Sequence, residues 1–204
     1  MTAACKVGVL ISGRGSNLQA LIDACAKPDF PARIVLVISN IADAYGLKRA
    51  VAANIPALAI SHKSYASRDA FDDEITRRFE TEGVEILCLA GFMRILSDGF
   101  VKHWQGRLIN IHPSLLPAYK GTHVHERVLA AGEKKSGCTV HYVVPELDSG
   151  PAILQAEVDV RPGDTPDALA ARVLEQEHAI YPRALQMIAQ GRVRLENGRT
   201  KILG

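Results

Sequence analysis

Three short stretches of this 204-residue sequence hold side chains that could do chemistry. The first is Asn110-Ile111-His112-Pro113-Ser114. Asparagine is a neutral donor able to hold an oxyanion, and histidine donates or shuttles a proton near neutral pH. If Leu108 to Ile111 is a strand, residues two apart share a face, so Asn110 and His112 point the same way at its C-terminal end. A capped turn before Pro113 would use the same residue types. The second stretch is Glu146-Leu147-Asp148-Ser149-Gly150-Pro151, a turn between two strand-like runs from which Asp148 could reach the imidazole. An Asx turn closed by glycine is the commoner use of such a sequence. The third is Gly13-Arg14-Gly15-Ser16-Asn17-Leu18, at a strand-to-helix junction where backbone amides and the helix dipole favour a phosphate. It opens like a dinucleotide fingerprint, but Leu18 stands where the third glycine belongs, and Ser39-Asn40 where a ribose-binding acid would follow the second strand. One phosphate monoester therefore fits better than NAD. A tight turn without ligand is the plain alternative.

Alternating strands and helices must position these residues. Lys6 to Ile11 is a β-branched run that ends in turn residues, after which Ser16 or Asn17 can cap a helix carrying Leu18, Leu21, Ile22 and Cys25. Ile34 to Ile38 is a second strand, wholly apolar as expected where both sheet faces are covered. A helix over Asp43 to Asn54, a short strand over Ala57 to Ile60, a charged helix over Arg68 to Glu82 and a strand over Val84 to Ala90 follow. Helical spacing around Phe100 to Trp104 leads into Leu108 to Ile111. Beyond Pro117 come a helix near Val124 to Ala131, strands over Cys138 to Val144 and Ile153 to Val160, and a long helix over Pro166 to Gln190. Asn197-Gly198 then marks a hairpin. This order predicts an α/β fold: an open, mostly parallel twisted sheet with helices on both faces, in one domain.

Composition narrows the partners. A net charge of +2 spread along the chain gives no footprint for nucleic acid. The longest run free of Asp, Glu, Lys and Arg, from Ala50 to His62, is 13 residues against the roughly 20 that span a bilayer, so no membrane partner is expected. Met1 to Lys6 lacks the pattern of a signal peptide, and four dispersed cysteines form no disulfide framework, which suits the cytoplasm. His123-x-His125 lacks the third ligand of a metal site and is expected at the surface or on the substrate side. Arg68 reads most simply as a solvated side chain, and Met93, Ile95 and Leu96 as core.

Five stretches occur in order: Ile11 to Ala20, Leu89 to Leu96, Leu108 to Pro117, Gly137 to His141 and Leu147 to Gln155. Together they resemble the phosphoribosylglycinamide formyltransferases of the folate-dependent formyltransferase superfamily, over nearly the whole chain. The resemblance implies a Rossmann-like formyltransferase fold and transfer of a formyl group from 10-formyltetrahydrofolate, as co-substrate, to the amine of glycinamide ribonucleotide. It implies catalysis by Asn110, His112 and Asp148. The ribonucleotide would be held by Gly15, Ser16, Asn17 and Glu177. The folate would lie against Arg68, Met93, Arg94, Ile95, Leu96 and Asn110, and against Val144, Pro145, Glu146, Leu147 and Asp148. Residues 1–106 would then bind phosphate and residues 107–204 complete the folate and catalytic site. No metal is implied, and a homodimer is allowed. A catalytically silent phosphate-ligand sensor on the same fold is the competing class, which a formyl-transfer assay separates.

Overall fold

The protein is described by a computed structural model covering residues 4–203. Its elements run β1 (Cys5–Ile11), α1 (Ser16–Cys25), β2 (Ala32–Ser39), α2 (Tyr45–Ala52), β3 (Ala57–Ala59), α3 (Arg68–Thr81), β4 (Ile86–Leu89) and α4 (Asp98–His103). They continue with β5 (Leu108–His112), α5 (Val124–Ala130), β6 (Lys135–Tyr142), β7 (Ala152–Asp159), α6 (Pro166–Ala189), β8 (Val193–Glu196) and β9 (Arg199–Ile202). Among the described residues, seven strands form one sheet in the order β3-β2-β1-β4-β5-β6-β7, and β8 and β9 form a separate hairpin. Pairing is parallel from β3 to β5 and antiparallel across β5–β6 and β6–β7. The expected open, mostly parallel sheet is thus present. Its order reverses between β1 and β4, the switch point where open α/β sheets bind ligands at their C-terminal edge.

Side chains along β1, β4 and β5 alternate between the two faces, which decides what each face meets. Val7, Val9 and Ile11 of β1, Cys88 of β4, and Ile109 and Ile111 of β5 pack with Leu18 and Leu21 of α1 and with Val173, Tyr181 and Leu185 of α6. Leu10, Leu87, Leu89 and Leu108 take the other face, against Phe71, Ile75 and Phe79 of α3 and Phe100 and Trp104 at α4. Gly8 belongs to that second face, where a Cβ would stand 2.5 Å from the Phe79 ring. Truncating Phe79 to alanine would cost about 3–5 kcal/mol. By the same alternation Asn110 and His112 share the Leu108 face, at the end of β5.

Helix starts differ in an informative way. Ser67, Ser97 and Thr165 cap α3, α4 and α6 through their hydroxyls, which accept from Ala70, Phe100 and Ala168 amides. The expected capping of α1 by Ser16 or Asn17 is not what forms. Its N-cap is Gly15, left-handed at φ 70, with no side-chain cap among the described residues, and Ser16 and Asn17 are already helical. Glycine is required there because a Cβ would lie 2.6 Å from Gly46 Cα of α2. The hairpin turn at Asn197 and Gly198 has φ 50 and 71, both left-handed, as its sequence predicts.

Candidate active site

The C-terminal edge of the sheet is stitched together by Ser12, just beyond β1. Its hydroxyl donates to Asn40 Oδ1 at 2.6 Å and accepts the Met93 amide at 2.8 Å, while its own amide donates to the Gly91 carbonyl at 3.0 Å. Asn40, where a dinucleotide-binding protein needs an acid, is thereby committed to the loop. Close packing beside the glycine loop, which Leu18 cannot supply, comes instead from Gly15 against Gly46, with the Gly46 amide donating to the Gly13 carbonyl at 3.0 Å. The first amides of α1 have no intrahelical acceptor and carry the positive end of the helix dipole, a ready anion site.

Asn17 does not face that site with its side chain. Its Nδ2 donates at 2.6 Å to Oε2 of Glu177, which α6 brings across from the far end of the chain. Glu177 is only 7% exposed, and burial raises its pKa against the lowering effect of the Asn17 bond. Asn17 Oδ1 is buried and finds no partner among the described residues.

At the end of β5 the structure brings together the three residues that the sequence singles out. His112 Nε2 donates to the Tyr119 carbonyl at 3.0 Å, and Nδ1 lies 3.4 Å from Asp148 Oδ2. Both ring nitrogens therefore face oxygens: Nε2 makes its hydrogen bond to the carbonyl, and Nδ1 stands beside the carboxylate. Asp148 Oδ2 also accepts the Gly121 amide at 2.9 Å, and its side chain is nearly buried. The turn it sits on is tight: Asp148 is left-handed at φ 48, and a Cβ on Gly150 would collide with the Tyr142 carbonyl. The turn after His112 is pinned by Thr139, which donates to the Ser114 carbonyl at 2.7 Å and accepts the Leu116 amide at 3.0 Å.

Asn110 has a partner that the sequence does not announce. His141, opposite it in the β5–β6 register, donates from Nδ1 to the Tyr142 carbonyl at 2.8 Å and so offers Nε2 as an acceptor. Asn110 Nδ2 donates to that nitrogen at 3.2 Å, which leaves its second hydrogen to point elsewhere. Burial lowers the His141 pKa, outweighing the Tyr142 carbonyl and Asp148, which raise it, and thus keeps the acceptor form. Alternation within the strand puts Thr139 and His141 on one face, but only the β5–β6 register shows which residues they oppose.

The remaining predicted residues lie at the start of α3, on the loop after β4 and on the loop after β6. Met93 and Ile95 are not core, as side-chain type suggested: they are 72% and 61% exposed, because the loop after β4 turns them out of the sheet. Only Leu96 is buried, in the α3-side cluster. Phe92 and Val143, at the roots of the two loops beside the edge, pack on that cluster. Val144 is partly buried, while Pro145, Glu146 and Leu147 are exposed. Arg68 starts α3 in solvent, and Arg94 stacks 5.2 Å from the Phe71 ring, its Nε without a partner among the described residues. Both guanidinium charges act on Asp72, whose carboxyl burial nevertheless raises. His123 is exposed beside Glu126 and His125 half-buried. Among the described residues no group of three or more His, Cys, Asp or Glu is placed to hold a metal ion, and no helix is long and apolar enough to cross a membrane. All four cysteines are free, with Cys5 pushed up to about 11 and Cys25 and Cys138 to about 12 by burial, so none is a ready thiolate.

An open α/β sheet with a glycine loop at the end of β1 and Asn110, His112 and Asp148 gathered at the end of β5 is the arrangement to set against known proteins. The family described as formyl transferase matches residues 5–185, and the chain belongs to it. It is 49% identical to the phosphoribosylglycinamide formyltransferase of Escherichia coli (strain K12), over 93% of this chain and 90% of that protein. It is 54% identical to the trifunctional purine biosynthetic protein adenosine-3 of Bos taurus over 95% of this chain but 19% of that protein. The chain spans only 14–19% of the length of the trifunctional relatives it matches. Among solved structures, glycinamide ribonucleotide transformylase 1 from Symbiobacterium toebii superposes with a TM-score of 0.97 at 45% identity, covering 100% of this chain and 96% of that one.

Proposed function

We propose that this chain transfers the formyl group of 10-formyltetrahydrofolate to the amine of glycinamide ribonucleotide, a step of purine biosynthesis. The observation that carries this proposal is the pairing, on one face of β5, of an Asn110 amide hydrogen with a His112 whose two nitrogens both face acceptors. The ends of β1 and β5 are separated only by β4, hence about 10 Å apart. A ribose 5-phosphate carrying a glycyl amide can bridge that span, its phosphate on the Gly15, Ser16 and Asn17 amides and Glu177 meeting the ribonucleotide from α6. The folate lies along Arg68, Met93 to Leu96 and Val144 to Asp148, where exposed Met93, Ile95 and Leu147 offer apolar contact and Arg68 and Arg94 suit its carboxylates.

In the reaction the neutral amine attacks the formyl carbon, and the carbonyl electron pair moves onto oxygen. Donors fixed in advance stabilise that oxyanion most effectively. Asn110 donates one N–H, and His112 turns its Nε2–H hydrogen bond from the Tyr119 carbonyl to the oxyanion, keeping the proton on nitrogen. When the carbonyl re-forms, the bond to the folate nitrogen breaks. The proton lost by the amine passes to that nitrogen, with Asp148 holding His112 and the charge balance during transfer. Residues 1–204 act here as one unit, the first half supplying the phosphate loop and the second the catalytic edge. The free cysteines suit a reducing compartment, so we place the enzyme in the cytoplasm. Following 10-formyltetrahydrofolate with and without glycinamide ribonucleotide tests the proposal. Acceptor-dependent loss supports it. Loss that ignores the acceptor points to a hydrolase, and no loss refutes formyl transfer.

A further inference from the structure

We infer that Lys120 is a positioning residue for His112, tying together the two loops that give the imidazole its acceptors; this rests on the formyl-transfer proposal above. Residues 119–121 make three contacts in succession. The Tyr119 carbonyl faces His112 Nε2, the Gly121 amide donates to Asp148 Oδ2, and between them the Lys120 ammonium donates to Ser149 Oγ. The same ammonium lies 3.7 Å from Glu146 Oε1. Asp148, which meets His112 Nδ1, therefore sits between the two residues that Lys120 grips. Ser149 passes the tie on, its hydroxyl donating to the Leu147 carbonyl at 3.1 Å.

Both loops need holding. Tyr119 and Asp148, each backing one nitrogen of His112, are left-handed at φ 55 and 48, a conformation that non-glycine residues keep only where surrounding contacts impose it. Arg127 of α5 imposes it on the first loop, donating to the Lys120 carbonyl at 2.6 Å and standing 5.4 Å from the Tyr119 ring centre. Among the described residues no hydrogen bond from α5 reaches residues 146–149. The crossing between loops is made by Lys120 and the Gly121 amide. Of the two grips on Lys120, the hydroxyl is the stronger: the bond from an ammonium is charge-assisted, whereas Glu146 is 79% exposed and its ion pair is screened. Lys120 reaches His112 only through these loops, so its loss misplaces the imidazole without removing any group that touches a substrate.

The test compares wild type, Lys120→Met, Lys120→Arg, Ser149→Ala and the Lys120→Met/Ser149→Ala double variant in steady-state formyl transfer and in amide exchange without substrate. Lys120→Met should lower kcat about 10-fold, the scale of a small misplacement of a catalytic group, with both KM values and Tm unchanged. Lys120→Arg should restore most of it, and the double variant should be no slower than Lys120→Met alone. Exchange at residues 117–123 and 146–149 should quicken in Lys120→Met and recover in Lys120→Arg. Unchanged or raised kcat in Lys120→Met, a loss confined to KM, failure of arginine to rescue, or losses that multiply in the double variant would overturn the inference. If wild type shows no formyl transfer, the functional proposal falls, and exchange alone decides the tie: unaltered exchange at both loops in Lys120→Met overturns it.

Discussion

At the end of β1, five consecutive residues from Gly13 to Asn17 bring their own donors; at the end of β5, His112 depends on partners from residues 119 and 148, and Asn110 on one from residue 141. The first region is backbone chemistry, set by one left-handed glycine and the start of a ten-residue helix. The second is side-chain chemistry, assembled from two strands and two loops whose backbones are themselves strained. A local anion site needs only a turn and free amides. A proton-handling site needs charges and hydrogens whose positions are mutually enforced, and that takes several segments. The two should accordingly fail in different ways: the β5 cluster in turnover and cooperatively, the glycine loop in affinity.

The largest effect expected is at the His112–Asp148 pair. His112→Ala and Asp148→Asn should each cut turnover roughly 10²–10⁴-fold, the range for general acid–base groups. The double variant should be little worse than the more damaging single, because residues acting as a unit are not additive. Turnover across pH for all four proteins measures this. A fully active Asp148→Asn enzyme would reduce Asp148 to a turn former, since asparagine serves turns as well.

Asn110→Ala comes next, with turnover down about 10²–10³-fold, as for loss of one oxyanion donor, and KM for the ribonucleotide moving far less. Should KM carry the loss instead, Asn110 is a binding residue and the contrast between the two regions blurs.

Gly15→Ala probes the other side. Left-handed strain plus collision with Gly46 should cost about 2–4 kcal/mol of stability and raise the ribonucleotide KM, with kcat for the folded fraction near wild type. Thermal unfolding with steady-state kinetics checks both halves. Unchanged phosphate affinity would show that the amides of α1 are not the anion site.

Smallest is the stability effect of Glu177→Gln. The folded-state pKa of Glu177 is raised, so its carboxyl costs nothing below the unfolded value and stability is lost as pH rises through the folded value. The glutamine variant keeps the acceptor for Asn17 without the buried charge. Its Tm should match wild type near pH 4 and exceed it by a few degrees at pH 7, about 1 kcal/mol. A Tm advantage equal at both pH values would assign the effect to packing.

Element order, the glycine turn, the hairpin at Asn197-Gly198 and the shared face of Asn110 and His112 were all legible in the sequence, because each rests on periods or φ preferences spanning a few residues. The resemblance of five ordered stretches also pointed to the family. Residue type misled at Met93 and Ile95, since apolar side chains settle in the core only if the backbone aims them there, and this loop does not. It misled again at Ser16 and Asn17, where Gly15 takes the cap and Asn17 turns to Glu177, 160 positions away. Asp148 was already legible as a partner within reach of the imidazole. Tertiary structure alone decided that His141 is the acceptor for Asn110, that the Tyr119 carbonyl takes the other nitrogen of His112, and that Lys120 joins the two loops. These are pairings of strand register and loop against loop, and no local periodicity specifies which distant segment will supply the partner.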